Sequence, residues 1–125
     1  MKKRKGLKTQ IFCDSADIKV IKKLNKNPLV SGFTTNPSLM RLSGAKNYKS
    51  YSQKILKICK KKPISLEVIA DDFNEIEKQA YKINSWGNNV YVKIPITNSK
   101  GNFTGKIIIN LNFLCASFLF LNMPQ

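Results

Sequence analysis

Four short, mostly apolar runs at residues 10–13, 28–33, 64–69 and 90–94 each stop at a polar or proline-containing stretch, while the intervals between them repeat with helical spacing. That alternation constrains the fold more than any other feature. Ile18, Ile21 and Leu24 recur among lysines after the first run, and Tyr51, Ile55, Ile58 and Cys59 mark one face before Pro63. Phe73, Ile76, Ala80 and Ile83 keep one face apolar up to Gly87, behind an Asp72/Glu75 pair with capping-box spacing. Strands are expected near 10–14, 29–34, 64–69 and 90–94, with the stretch from Thr34 to Ser38 as a loop because Pro37 ends the second run. The order β-α-β-α-β-α-β implies an α/β fold with parallel strands, right-handed crossovers and helices covering the sheet.

Charge and cysteine content narrow the function. The formal charge is +15, from 22 Lys+Arg against 7 Asp+Glu, which raises nucleic acid, anionic membranes and polyanionic substrates as partners. Lysines fall in nearly every segment without interleaved arginine and aromatic residues, so specific nucleic-acid recognition is not expected. Cys13, Cys59 and Cys115 are an odd number at wide spacing and no histidine is present, which argues against a metal centre and a His-based triad, and no cofactor is expected. The basic start leads into no apolar stretch of signal-peptide length, so a reducing cytoplasm is the expected compartment.

Polar residues in the apolar runs mark the chemistry. Successive strand side chains point to opposite faces, so Glu67 with Ser65 opposes Leu66 and Val68, and Lys93 with Tyr91 opposes Val92 and Ile94. Asp14 ends the first run and Asn36 follows the second. Four consecutive βα units thus each deliver one polar group near a strand's C-terminal end, where parallel α/β folds place their active sites. Each has a plainer reading: Asp14 as a helix N-cap, Asn36 as an Asx turn before Pro37, Glu67 with Lys93 as a buried ion pair. Burying charge without compensation costs several kcal/mol, which favours retention for a site. Desolvation disfavours the charged form of an amine, and a neutral amine attacks a carbonyl carbon to form an iminium.

Asp14 in PheCysAspSerAlaAsp, the run Gly32 to Ser38 (GlyPheThrThrAsnProSer), Ser65 to Val68 (SerLeuGluVal) and Val90 to Pro95 (ValTyrValLysIlePro) together resemble the transaldolase family, including its small subgroup with fructose-6-phosphate aldolase. The resemblance runs from about residue 10 to 106. It implies a partial (β/α)₈ TIM barrel of about four βα units and a metal-independent transfer of a dihydroxyacetone unit between sugar phosphates, as in the pentose phosphate pathway. By motif match Lys93 is the Schiff-base nucleophile, Asp14 the general acid/base, and Glu67 the residue that positions water and relays protons. Asn36 would hold substrate hydroxyls, with Thr35 a neighbouring polar contact. Glutamate at 67 leans toward transaldolase, glutamine there toward the aldolase subgroup. A reading from another class is a non-catalytic basic binding or assembly module.

The resemblance divides the chain into a basic tail at 1–9, the barrel portion at 10–106 and an atypical tail at 107–125. A (β/α)₈ barrel needs roughly 200 to 400 residues, and this chain has 125. Residues 107–125 carry no charge at all. A truncated or frameshifted product, a tail anchor diluted by Asn110, Asn112 and Asn122, and a segment covering an open half-barrel are the three readings, the first preferred. Open sheet edges would favour homo-oligomers or poor solubility.

Overall fold

The computed structural model describes residues 9–114 and 118–121, so most of the basic tail and part of the uncharged tail lie outside the described residues. The chain divides into two compact units, Met1–Ile64 and Ser65–Gln125. Its element order is β1 (Phe12–Asp14), α1 (Ile18–Asn25), β2 (Gly32–Thr34), α2 (Pro37–Leu42), α3 (Tyr48–Ile58), β3 (Ile64–Glu67), α4 (Phe73–Asn84), β4 (Val90–Pro95), α5 (Gly105–Leu114) and β5 (Phe118–Leu121). The parallel strands and intervening helices are those of a partial (β/α)₈ barrel, as the sequence implies.

In the first unit β1 and β2 run parallel with Phe12, Cys13 and Asp14 opposite Gly32, Phe33 and Thr34. Both strands start later than expected. Residues 27–30 turn instead of extending: Asn27 Oδ1 accepts from Leu29 N–H at 3.0 Å and Asn27 O accepts from Val30 N–H at 3.2 Å. This is the local bond by which asparagine before proline outcompetes a strand ladder. The α1 N-cap is Asp17, whose carboxylate accepts from the Lys19 and Val20 amides. Ile21 of α1, Phe33, Met40 of α2 and Ile55 of α3 form the core, with Tyr51 donating its hydroxyl to Ala16 O at 2.8 Å.

Gly32 sits where β2 passes closest to its neighbours. A Cβ there would lie 2.8 Å from the Pro63 carbonyl oxygen and against the Phe12 ring, and backbone cannot swing away as a side chain can. Gly32→Ala is therefore expected to destabilise the chain by about 1–3 kcal/mol, the usual cost of overpacking. A urea midpoint equal to that of the unaltered protein would show that the strands separate freely and that this close approach does not matter.

The second unit repeats the theme. Residues Ser65–Glu67 of β3 and Val90–Pro95 surround a core of Leu66, Ile76, Ala80, Ile83, Val92 and Ile94. Asp72 caps α4 by accepting from Asn74 and Glu75 N–H, while the Glu75 carboxylate pairs with Lys78 at 2.8 Å. The first half of the expected capping box is present. Beyond residue 106 the chain goes on to form α5, with Ile107, Ile108 and Leu111 buried, and β5, which pairs parallel to β4 with Leu119 opposite Lys93. No helix among the described residues is long and apolar enough to cross a membrane.

Candidate active site

Each expected site residue sits at or just after a strand, as the alternation of runs requires. In the second unit Lys93 and Glu67 are brought together. The Val68 amide donates to Lys93 O at 3.1 Å, which sets the register, and Lys93 Nζ lies 3.5 Å from Glu67 Oε2. Only 5% of Lys93 and 7% of Glu67 is exposed. Such a pair loses hydration on both sides, and at 3.5 Å it lacks the 2.7–2.9 Å contact of a strong charge-assisted hydrogen bond. What the fold gains is an amine on β4 and a carboxylate on β3 held side by side with little exposure to solvent.

In the first unit, Asp14 ends β1 directly opposite Thr34, one residue before Thr35. Asp14 is exposed and has no capping duty, because Asp17 has taken it. Thr35 is the opposite case: it is 1% exposed, and its Oγ1 has no hydrogen-bond partner among the described residues. A buried hydroxyl left unsatisfied costs about 1–3 kcal/mol. Asn36 is the N-cap of α2, its Oδ1 accepting from Leu39 N–H at 2.8 Å, with Pro37 at the start of the helix. The stretch expected as a loop is thus a loop only as far as Asn36. Proline suits a first helical turn, where its missing N–H is no loss, and that signal was available in AsnProSer.

Sequence reasoning missed the loops that frame Glu67. Asp71 accepts from Ser99 twice, from N–H at 2.7 Å and Oγ at 2.6 Å, and these bonds hold its carboxyl below the usual range. The clamp joins the segment after β3 to the segment after β4. Between them lies a cleft of about 480 Å³ whose lining includes Glu67, Asp71, Pro95, Thr97 and Ser99. Behind it Thr104, fully buried, donates its hydroxyl toward the Pro95 and Ile96 carbonyls. Asp71 precedes the capping Asp72, and an acid with no helical task was the one hint of a loop clamp. Among the described residues no group of three His, Cys, Asp or Glu could hold a metal. Burial pushes the Cys59 thiol up to about 11 in spite of nearby Lys62, so it is no nucleophile at neutral pH.

The family model described as Transaldolase/Fructose-6-phosphate aldolase matches residues 11–106. A protein of Dehalococcoides mccartyi named "Probable transaldolase" is 46% identical over 88 residues, covering 70% of this chain and 41% of its own length. Proteins of the same name from Nitrosopumilus maritimus and Brucella anthropi are 41% and 39% identical over 88 residues, again 70% of this chain, and 39% and 40% of their own lengths. The chain therefore spans about 40% of the length of these curated relatives. The matched stretch contains Asp14, Thr35, Asn36, Glu67 and Lys93, and the chain belongs to the transaldolase/fructose-6-phosphate aldolase family.

Proposed function

We infer that this chain carries the nucleophile of a Schiff-base transaldolase that moves a dihydroxyacetone unit between sugar phosphates. The observation that carries the reading is the buried Lys93–Glu67 pair inside the family-matched stretch. Lys93 Nζ attacks the carbonyl carbon of a ketose phosphate, and loss of the carbonyl oxygen as water leaves an iminium on the lysine. Asp14 takes the proton of the substrate hydroxyl during carbon–carbon cleavage and returns it to the acceptor adduct. Glu67 orients the water that is lost and later regained. Asn36 holds substrate hydroxyls through the part of its amide not used to cap α2. The unsatisfied Oγ1 of Thr35 supports a polar contact to substrate from the same loop.

Glutamate at 67 and the names of the relatives favour transfer over simple cleavage. Release of free dihydroxyacetone without an acceptor aldose would instead identify the aldolase reaction of the same family. Cys13 and Cys59 are thiols, which fits the reducing cytoplasm in which we place the reaction. Borohydride reduction in the presence of fructose 6-phosphate is expected to fix the sugar's mass on Lys93, read by peptide mass spectrometry, and to leave Lys93→Ala unlabelled. Label on another lysine overturns the assignment.

A further inference from the structure

The charge of this chain is not spread evenly over its two units. Residues 1–64 hold 17 of the 22 Lys+Arg and 2 of the 7 acidic residues, while residues 65–125 hold 5 of each, so the entire +15 belongs to the first unit. Such asymmetry between halves is the electrostatic mark of a polyanion partner. Within that unit Lys19, Lys22 and Lys23 of α1 and its C-cap Lys26 line a groove of about 650 Å³ with Asn25 and Ile58. Asn25 Nδ2 donates to Ile58 O at 3.1 Å and so fixes the groove between the C-terminal ends of α1 and α3.

Two plainer explanations fall short. Cations at the C-terminal end of a helix are favoured by its dipole, which accounts for Lys22, Lys23 and the C-cap Lys26 but not for Lys19. A solvated lysine face normally alternates with acids. Here the first unit has only Asp14 and Asp17, and the Asp17 carboxylate is spent on the α1 N-cap. Among the described residues no carboxylate lines the groove. Four ammonium groups at i, i+3, i+4 and i+7 on one face repel one another, and their counter-charge must come from outside the unit.

We propose that this groove binds the phosphate backbone of nucleic acid without reading its sequence. At 1.5 Å per residue, Lys19 to Lys26 spans about 10 Å, the length over which one strand of a duplex presents about three phosphates. Lysine is a point-charge phosphate ligand, and the groove has neither the arginine fork that reads guanine nor an aromatic ring on which bases stack. The absence of base readout is what the sequence leads one to expect; backbone binding needs only the charge. A membrane surface fits less well, because Ile21 is buried in the core and Val20 is the one large apolar side chain that α1 exposes. This site is independent of Lys93 and of the sugar-phosphate reaction.

Fluorescence anisotropy with a labelled 20-base-pair duplex, repeated across a salt series and with a second unrelated sequence, tests the proposal. Both sequences are expected to bind equally. Replacing Lys19, Lys22, Lys23 and Lys26 by Gln should weaken binding at least about 10-fold at 50 mM salt and make the slope of log Kobs against log salt shallower by about 3. Glutamine is a good helix former, so far-UV circular dichroism should be unchanged. Should the fourfold variant fail to fold, the pairs Lys19→Gln/Lys23→Gln and Lys22→Gln/Lys26→Gln should each remove about half of that slope. Removing the same charge at exposed Lys46, Lys49, Lys82 and Lys100 should change the slope by less than about 1. Equal loss in that control, full loss on replacing Lys2, Lys3, Arg4 and Lys5 alone, or stronger binding to anionic vesicles or polyglutamate than to the duplex would each overturn the site.

Discussion

A polypeptide of residues 1–125 alone, given fructose 6-phosphate and erythrose 4-phosphate in a coupled assay, is expected to turn over at least about 10⁴-fold more slowly than the roughly 1–10³ per second of ordinary enzymes. The reason is geometric. The 88 matched residues cover only 41% and 39% of the first two relatives, and the resemblance implies that the remaining βα units bring further polar groups to the catalytic centre and an arginine to the substrate phosphate. Misplacing reacting atoms by about 1 Å costs about 100-fold, and losing one preorganised donor costs about 10²–10³, so two such losses reach the stated factor. Iminium formation is less demanding. A borohydride trap accumulates product over hours, so label on Lys93 is compatible with turnover that a coupled assay does not register. Turnover at about 1 per second, abolished by Lys93→Ala, would show that four βα units suffice and that the phosphate grip is dispensable.

The candidate site residues stand out in the sequence more plainly than the element boundaries do, and the reason lies in what each depends on. A lysine and a glutamate within otherwise apolar runs are visible in any window, because nothing in strand periodicity accounts for them. Their pairing at 3.5 Å follows from the register between β3 and β4, which the shared C-terminal positions of Glu67 and Lys93 anticipated. Strand starts depend on competition between local bonds and the ladder. Asn27 Oδ1 won that competition at Leu29, and no periodicity records it. The six-residue α2 was invisible for a related reason: less than two turns gives no repeat to detect, and Asn36-Pro37 reads equally well as a turn or as a cap followed by a first helical residue. The uncharged stretch after residue 106 offers no contrast from which to read an element. With no polar face, burial of Ile107, Ile108 and Leu111 leaves no amphipathic pattern, while Ile109 remains 60% exposed. Charge asymmetry does not show fully in the lysines alone, which occur in both units, because it also depends on five of the seven acids lying in residues 65–125.

Glu67→Leu and Lys93→Met are each expected to lower stability by about 3–5 kcal/mol, while the double variant is as stable as the natural chain or more stable by about 1–4 kcal/mol. Either single change removes the facing opposite charge from a side chain that is only 5% or 7% exposed, and breaking one partner of a buried pair is strongly destabilising. Against a total of about 5–15 kcal/mol for a typical domain, that loss leaves little margin. The double variant removes both desolvation costs and fills the space with apolar side chains of similar volume. It gives up the attraction across 3.5 Å, weaker than a close charged hydrogen bond. Urea midpoints of the four proteins yield the coupling energy directly. A double variant as unstable as the singles would mean that Glu67 and Lys93 hold the fold together, and the plainer reading of a structural ion pair would stand. A double variant that is stable and no longer trapped by borohydride would mean that the fold carries this pair at a cost for the sake of its amine.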